Sequence, residues 1–163
     1  MNHQAEFLKL IKENERIIFK VCRMYMDTVV DRQDLFQEIV GQAWRSYESF
    51  KGLSKFSSWL YRIALNTALT YFKKNKRSKN TIESYKAIKD VIEEEDRQEQ
   101  IDLMYTAISR LPKIDKAIVM LYLDDYSYQQ ISEMMGMNIS NVGVRINRIK
   151  KRLKDDCNEL QSE

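Results

Sequence analysis

The chain has 163 residues, enough for one domain or two small ones, and 44% of them are hydrophobic, too many for a disordered chain. Gly and Pro number only 4 and 1, so strands and tight turns, which draw on both, are disfavoured and an all-α protein with short loops is expected. The net charge of +3 hides an uneven distribution: residues 1–78 hold 14 Lys/Arg against 8 Asp/Glu, residues 79–100 hold 4 against 7, and residues 101–163 hold 9 of each.

No apolar run approaches the length of a membrane span, and the opening MNHQAEFLKLIKENER lacks an apolar signal core, so no membrane insertion and a cytoplasmic location are expected. Cys22 and Cys157 are then free thiols in a reducing compartment. Two cysteines and His3 as the only histidine argue against a zinc site, and no cofactor is expected.

The first predicted helix covers residues 5–27, with Phe7, Leu10, Ile11, Ile18, Val21, Cys22 and Tyr25 as its apolar positions. The second covers 31–48. At about 100° per residue, Leu35, Phe36, Ile39, Val40, Ala43 and Tyr47 share its inner face, and Asp34, Gln37, Glu38, Gly41, Arg45 and Glu48 the outer one. After a loop at 49–57, Ser57 or Ser58 is placed to cap a third helix running to Lys76. Its inner stripe is Leu60, Ile63, Ala64, Thr67 and Tyr71. Trp59, Arg62, Asn66, Thr70 and Lys73 lie opposite, and a basic cluster of Lys73, Lys74, Lys76, Arg77 and Lys79 closes the block.

Residues 79–97 turn acidic without a sustained stripe and read as a flexible linker between two small helical domains, 1–78 and 98–163. The second block begins near Glu95. Ile101, Met104, Tyr105, Ile108 and Leu111 form an amphipathic helix that Pro112 ends, and Pro112 opens the next helix, to about Leu123. Ser127 and Gln130 then make a capping box, Gly136 permits the positive φ of a sharp helix end, and Asn138 caps another helix. Two helices joined by so short a Gly-containing turn form a helix-turn-helix. In the second, Val142, Ile146, Ile149 and Leu153 face inward. Ser140, Asn141, Val144, Arg148 and Lys151 face outward with Arg145 at the margin, and Arg145–Lys154 holds six basic residues and no acidic one. Short polar groups first and cations later suit base edges followed by phosphates. A solvated basic helix in an unrelated bundle is the plainer reading of the same face.

Residues 98–154 resemble region 4 of sigma factors of the extracytoplasmic function class, through Leu111-Pro112 and the Ser127-Tyr128-Gln129-Gln130-Ile131-Ser132…Gly136 helix-turn-helix. Asp34-Leu35-Phe36-Gln37-Glu38 resembles the D-L-x-Q-E core of region 2 in that family. Phe56-Ser57-Ser58-Trp59-Leu60-Tyr61-Arg62-Ile63-Ala64-Leu65-Asn66 resembles its F-x-x-W-L-x-R-I-A-x-N signature. The resemblance implies partners: core RNA polymerase, through its β′ clamp helices and β flap, promoter DNA, and an anti-sigma factor. It implies that Asp34, Gln37 and Glu38 bind the polymerase, although a solvated face is equally compatible with them. It places Trp59, Arg62, Asn66 and Lys73 on the separated minus-ten strand, with a flipped base held by the 49–57 loop. Stacking and cations suit that task, although a tryptophan in such a helix is as often core. It assigns Ser140, Asn141, Val144, Arg145, Arg148 and Lys151 to the minus-thirty-five element. Gly143 and Val144 depart from the family pattern, where Lys or another polar residue is commoner; Gly143 would permit close approach of the backbone to DNA.

No Gly-rich phosphate loop, nucleophile–base motif or metal spacing is present, so the chain is expected not to be an enzyme. One rival reading is a helix-turn-helix repressor dimerising on a palindrome. The other is a helical adaptor that binds only proteins. A sigma factor of this class is expected to be monomeric when free, which gel filtration separates from the dimeric repressor.

Overall fold

The computed structural model describes residues 2–71 and 95–162, and among these the regular elements are all helical. The chain divides into two compact units, Met1–Asp90 and Val91–Glu163. The acidic linker expected at 79–97 lies outside the described residues, except for 95–97, which open a helix.

The first unit holds α1 (His3–Glu13), α2 (Glu15–Tyr25), α3 (Val29–Ser46), a 3-10 turn (Tyr47–Ser49) and α4 (Phe56–Tyr71). The single helix expected over 5–27 is broken at Asn14. There the backbone leaves the helical region (φ −121°, ψ 15°), and the side-chain amide donates to the Leu10 carbonyl at 2.8 Å. A short polar side chain that satisfies a local carbonyl competes with the helix ladder, and no proline is needed for the break. Thr28 starts α3 by accepting from the Asp31 N–H at 3.1 Å.

α4 packs against α2 and α3. The core joins Phe7 and Ile11 from α1, Ile18, Val21, Cys22 and Tyr25 from α2, Leu35, Ile39 and Ala43 from α3, and Leu60, Tyr61, Ala64, Leu65 and Ala68 from α4. The inner face of α4 is therefore wider than the expected stripe and turned toward Tyr61 and Leu65, while Ile63 and Tyr71 are only half-buried. α4 also starts earlier than a serine cap would allow: the Lys55 carbonyl accepts from the Trp59 N–H, so Ser57 and Ser58 lie inside the first turn.

The second unit holds α5 (Glu95–Ser109), α6 (Lys113–Leu123), α7 (Tyr128–Met135) and α8 (Ile139–Ser162). Ala107, Ile108, Leu111, Ala117, Ile118, Leu121, Ile131, Val142, Ile146 and Ile149 form its core. Ile101 and Met104, expected on the inner stripe of α5, are exposed at 40% and 39%. α8 runs two turns beyond the expected Lys154. The α7–α8 turn follows its local chemistry. Gly136 sits at φ 66°, a conformation that costs an L side chain about 1 kcal/mol or more, and the Ser132 hydroxyl donates across the turn to the Met137 carbonyl.

Candidate functional site

Two helix faces in the first unit carry the expected site residues. On α3, Asp34, Gln37 and Glu38 are all exposed. Glu38 meets Arg45 at 3.5 Å, and Arg45 also donates to Gln42 at 2.7 Å; a pair so exposed is worth only ~0.2–1 kcal/mol, so Glu38 remains free to exchange partners. At Gly41 an added Cβ would meet nothing but the flexible Arg45 guanidinium, 3.5 Å away, so the middle of this face is open backbone.

One edge of the face is apolar, contrary to the wholly polar surface expected. Phe36 and Val40 are half-buried rather than core, Val30 and Trp44 are exposed, and Phe36 stacks on the exposed Phe19 of α2 at 5.1 Å. Helical spacing carried the signal for Trp44: seven residues after Gln37, it falls on the same side.

On α4, Arg62, Asn66 and Thr70 are exposed in file at successive turns. The Thr70 hydroxyl is turned back, donating to the Asn66 carbonyl at 3.0 Å. Lys73 lies outside the described residues. A groove of about 550 Å³ runs between α3 and α4, lined by the polar Glu38, Gln42, Asn66 and Thr70 and by Ile63 and Tyr71 among others, and so joins the two faces.

Trp59 is not a free platform. It is half-buried in an aromatic cluster, 5.0 Å from Phe50, 5.3 Å from Phe56 and 6.3 Å from Tyr47. Its indole thereby anchors the base of the Phe50–Lys55 loop. At the tip of that loop Gly52 takes φ 69°, and Leu53, 93% exposed, stands between the exposed Lys51 and Lys55. No periodicity in the sequence marks Leu53 within the 49–57 loop; its exposure at the loop tip singles it out.

In the second unit the helix-turn-helix is fixed at both starts. Ser127 and Gln130 exchange the two bonds of a capping box, at 3.1 and 2.9 Å. The Asn138 side chain accepts from the Ser140 N–H at 2.9 Å and from its hydroxyl at 2.8 Å. Ser140 is therefore part of the cap as well as the first residue of the outward face. Asn141, Val144, Arg148 and Lys151 are exposed along it, and so is Asn147, which the sequence reading left out although helical spacing sets it beside Val144 and Lys151.

Both margins of this face are occupied. On one, Arg145 is held by Asp115 of α6 at 3.0 Å and is not a free cation. On the other, the Cβ position of Gly143 lies 3.5 Å from the exposed Tyr128 ring of the preceding helix, so a side chain there would meet its own unit. Also on that margin, the Lys150 ammonium lies 4.6 Å from the Tyr122 ring centroid, and a hydrogen bond to Tyr122 raises its pKa above the ordinary lysine value. Among the described residues no helix is long and apolar enough to cross a membrane, and no cluster of metal-ligating side chains is present.

Comparison with known proteins agrees with this arrangement in both units. Residues 10–78 match the family model Sigma-70 region 2, and residues 101–153 match Sigma-70, region 4. The chain is 31% identical over 144 residues to the ECF RNA polymerase sigma-E factor of Escherichia coli, covering 80% of this chain and 75% of that protein. It is 33% identical over 144 residues to that of Haemophilus influenzae, covering 80% and 76%. Among solved structures, the sigma factor RpoE from Bartonella quintana, in complex with the anti-sigma factor NepR, aligns with TM-score 0.67 at 19% identity over 94% of each chain. CnrH, in complex with the cytosolic domain of CnrY, aligns with TM-score 0.65 at 19% identity over 94% of this chain and 88% of its own. At that identity the two structures speak to the fold alone. Two region matches in order along one chain, together with relatives above 30% identity across most of their length, place this protein in the family of ECF RNA polymerase sigma factors.

Proposed function

We propose that this protein binds core RNA polymerase, directs it to a distinct set of promoters and opens them, and catalyses nothing itself. The observation that carries the proposal is the presence, in one chain, of a region 2 unit with two organised exposed faces and a region 4 unit with a doubly capped helix-turn-helix. In this reading residues 1–78 form the domain for the polymerase and the minus-ten element, and residues 98–163 that for the minus-thirty-five element.

Asp34, Gln37 and Glu38 meet the β′ clamp helices, with the apolar edge at Val40 and Trp44 supplying the buried part of that contact. An interface of charged rim and apolar centre gains affinity from the centre and orientation from the rim. Arg62, Asn66 and Lys73 follow the separated strand, while Trp59 fixes the loop that receives a flipped base. Asn141, Val144 and Arg148 reach base edges in the major groove, and Lys151 meets phosphate. The protein works in the cytoplasm, is monomeric when free, and is held in check by an anti-sigma factor.

The test is run-off transcription with core polymerase on genomic fragments. Discrete transcripts that need this chain are expected. Unchanged transcription with and without it would overturn the reading. Within the same assay, alanine at Asn66 should alter base preference or open-complex formation, read by permanganate footprinting.

A further inference from the structure

The ion pair that ties α8 to α6 bears on how α8 reads DNA, and the argument rests on the reading role proposed above. We propose that Asp115 is a positioning residue, which holds Arg145 against α6 and cancels its charge, so that Arg145 adds no sequence-independent pull on phosphates and sequence reading falls to the rest of the α8 face.

The geometry is that of a partly buried lock. Arg145 Nη1 lies 3.0 Å from Asp115 Oδ1, and the side chains are only 33% and 20% exposed. The Nε of Arg145 is fully buried without a hydrogen-bond partner, so the guanidinium is seated inside the contact and not turned outward. Asp115 stands in the first turn of α6, where the helix dipole favours a carboxylate. The two residues line one cleft of about 260 Å³ with Leu111, Pro112, Arg148 and Arg152.

Of the three arginines in this cleft, two are engaged. Arg145 has Asp115, and Arg152 donates to the Arg110 carbonyl at 3.4 Å and lies 3.9 Å from Asp156. Arg148 has no ion pair among the described residues and is exposed on the outward face. The lock therefore decides which arginine is available.

A cancelled pair adds nothing to the attraction of phosphates, which is independent of sequence. A freed Arg145 would add one cation at the edge of the reading face and strengthen binding to every sequence by the same factor, raising affinity and its salt dependence while leaving the ratio between right and wrong sites unchanged. Loss of Arg145 alone would leave a bare carboxylate beside the DNA-facing helix and repel all sequences.

The experiment uses the full-length chain and a pool of randomised short duplexes, from which the wild-type protein selects a preferred site. Binding of that duplex, and of its single-base variants, is then measured over a fourfold range of salt. Asp115→Ala should steepen the salt dependence by about one phosphate. At a slope of about −0.9 per phosphate, the affinity ratio of variant to wild type should fall roughly 3.5-fold over that range. Discrimination among single-base variants should stay as in the wild type, because the added cation acts on all sequences alike. Arg145→Ala should bind all sequences more weakly, and Asp115→Ala combined with Arg145→Ala should return to the wild-type salt slope and base preference. Asp115→Asn, uncharged and of the same shape, should shift the slope in the same direction, and thermal melts separate any folding defect from these effects.

The inference is overturned if Asp115→Ala leaves the slope unchanged. It is also overturned if Arg145→Ala and the double variant lose preference at the same base pair, because Arg145 then reads that base directly. Arg148→Ala serves as the control for the underlying role. A full effect there with none at Asp115 refutes only the lock, whereas no effect at Arg148 refutes the DNA-reading role of α8 and the lock with it.

Discussion

Replacing Gly143 by alanine separates two explanations for a glycine in the middle of α8, the helix proposed to read DNA. If it were there to let DNA approach the backbone, a methyl group would obstruct the complex. In the structure the added Cβ would instead lie 3.5 Å from Tyr128 Cε2 and 3.8 Å from Cδ2, ordinary van der Waals contact that requires no movement. Helix propensity then favours alanine by about 1 kcal/mol. Contact with Tyr128 adds little, since that ring is itself exposed. A net gain of about 1 kcal/mol in a unit of this size corresponds to a rise in Tm of roughly 4–8 °C. The assay is a thermal melt followed by circular dichroism, paired with affinity for a duplex selected by the wild-type protein. The expected result is a higher Tm with unchanged affinity and base preference. A lower Tm would show that Tyr128 leaves no room for the methyl group. An unchanged or higher Tm with lost affinity would show that position 143 backs onto DNA, and the assignment of the two margins of α8 would then be wrong.

Three further outcomes follow from particular contacts. Ser127→Ala removes one half of the capping box and should cost about 1 kcal/mol, with amide exchange at the start of α7 accelerating more than in α6; equal acceleration in both would contradict a local cap. Gln37→Ala combined with Glu38→Lys should weaken binding to core polymerase while stability changes by less than about 1 kcal/mol, because both residues are exposed and the Glu38–Arg45 pair is weak; unaltered core affinity would remove these residues from the interface. Burial pushes the Cys22 thiol up to about 12, against a smaller opposing effect of Arg32. Because the folded value lies above the unfolded one, the stability tied to this neutral thiol is complete below about pH 9 and is lost as pH rises toward 12. Iodoacetamide at pH 8 should therefore label Cys157, which is only half-buried, well before Cys22, and comparable rates would refute the assignment.

Features set by neighbours in sequence were legible before the structure. Ser127 with Gln130, Gly136 at its positive φ and Asn138 at the start of α8 all act within a few residues, and each does what its type dictates. The inner stripes of α3 and α8 were legible at Leu35, Ile39, Val142 and Ile146, which helical spacing sets on one side of each helix and which are buried there. Where a helix is enclosed more widely, a single stripe misleads. Tyr61 and Leu65 of α4 are buried because α2 and α3 both pack on it, and that depends on tertiary arrangement. The break at Asn14 was hidden for another reason, since asparagine inside an otherwise periodic segment carries no strong stop signal until its side chain is seen on Leu10.

Charge was the least legible property of the candidate site. Six basic residues between Arg145 and Lys154 read as one cationic surface, yet Arg145 is held in a partly buried ion pair and Arg152 and Lys150 make exposed contacts within their own unit. Arg145 is matched by a carboxylate 30 positions away, Arg152 by a carbonyl 42 positions away, and Lys150 by the Tyr122 ring. Partners at such separations leave no trace in local composition. Between these margins a strip runs through Asn141, Val144, Asn147, Arg148 and Lys151, all exposed. In the proposed docking such a strip would meet a groove along one line, with the aliphatic Val144 at its middle and Arg148 and Lys151 in its second half. An aliphatic side chain there accepts no hydrogen bond, and the base feature it fits is the methyl group of thymine. In the docking proposed above, this strip would carry the sequence preference, and the arginine held by Asp115 would change only the overall affinity.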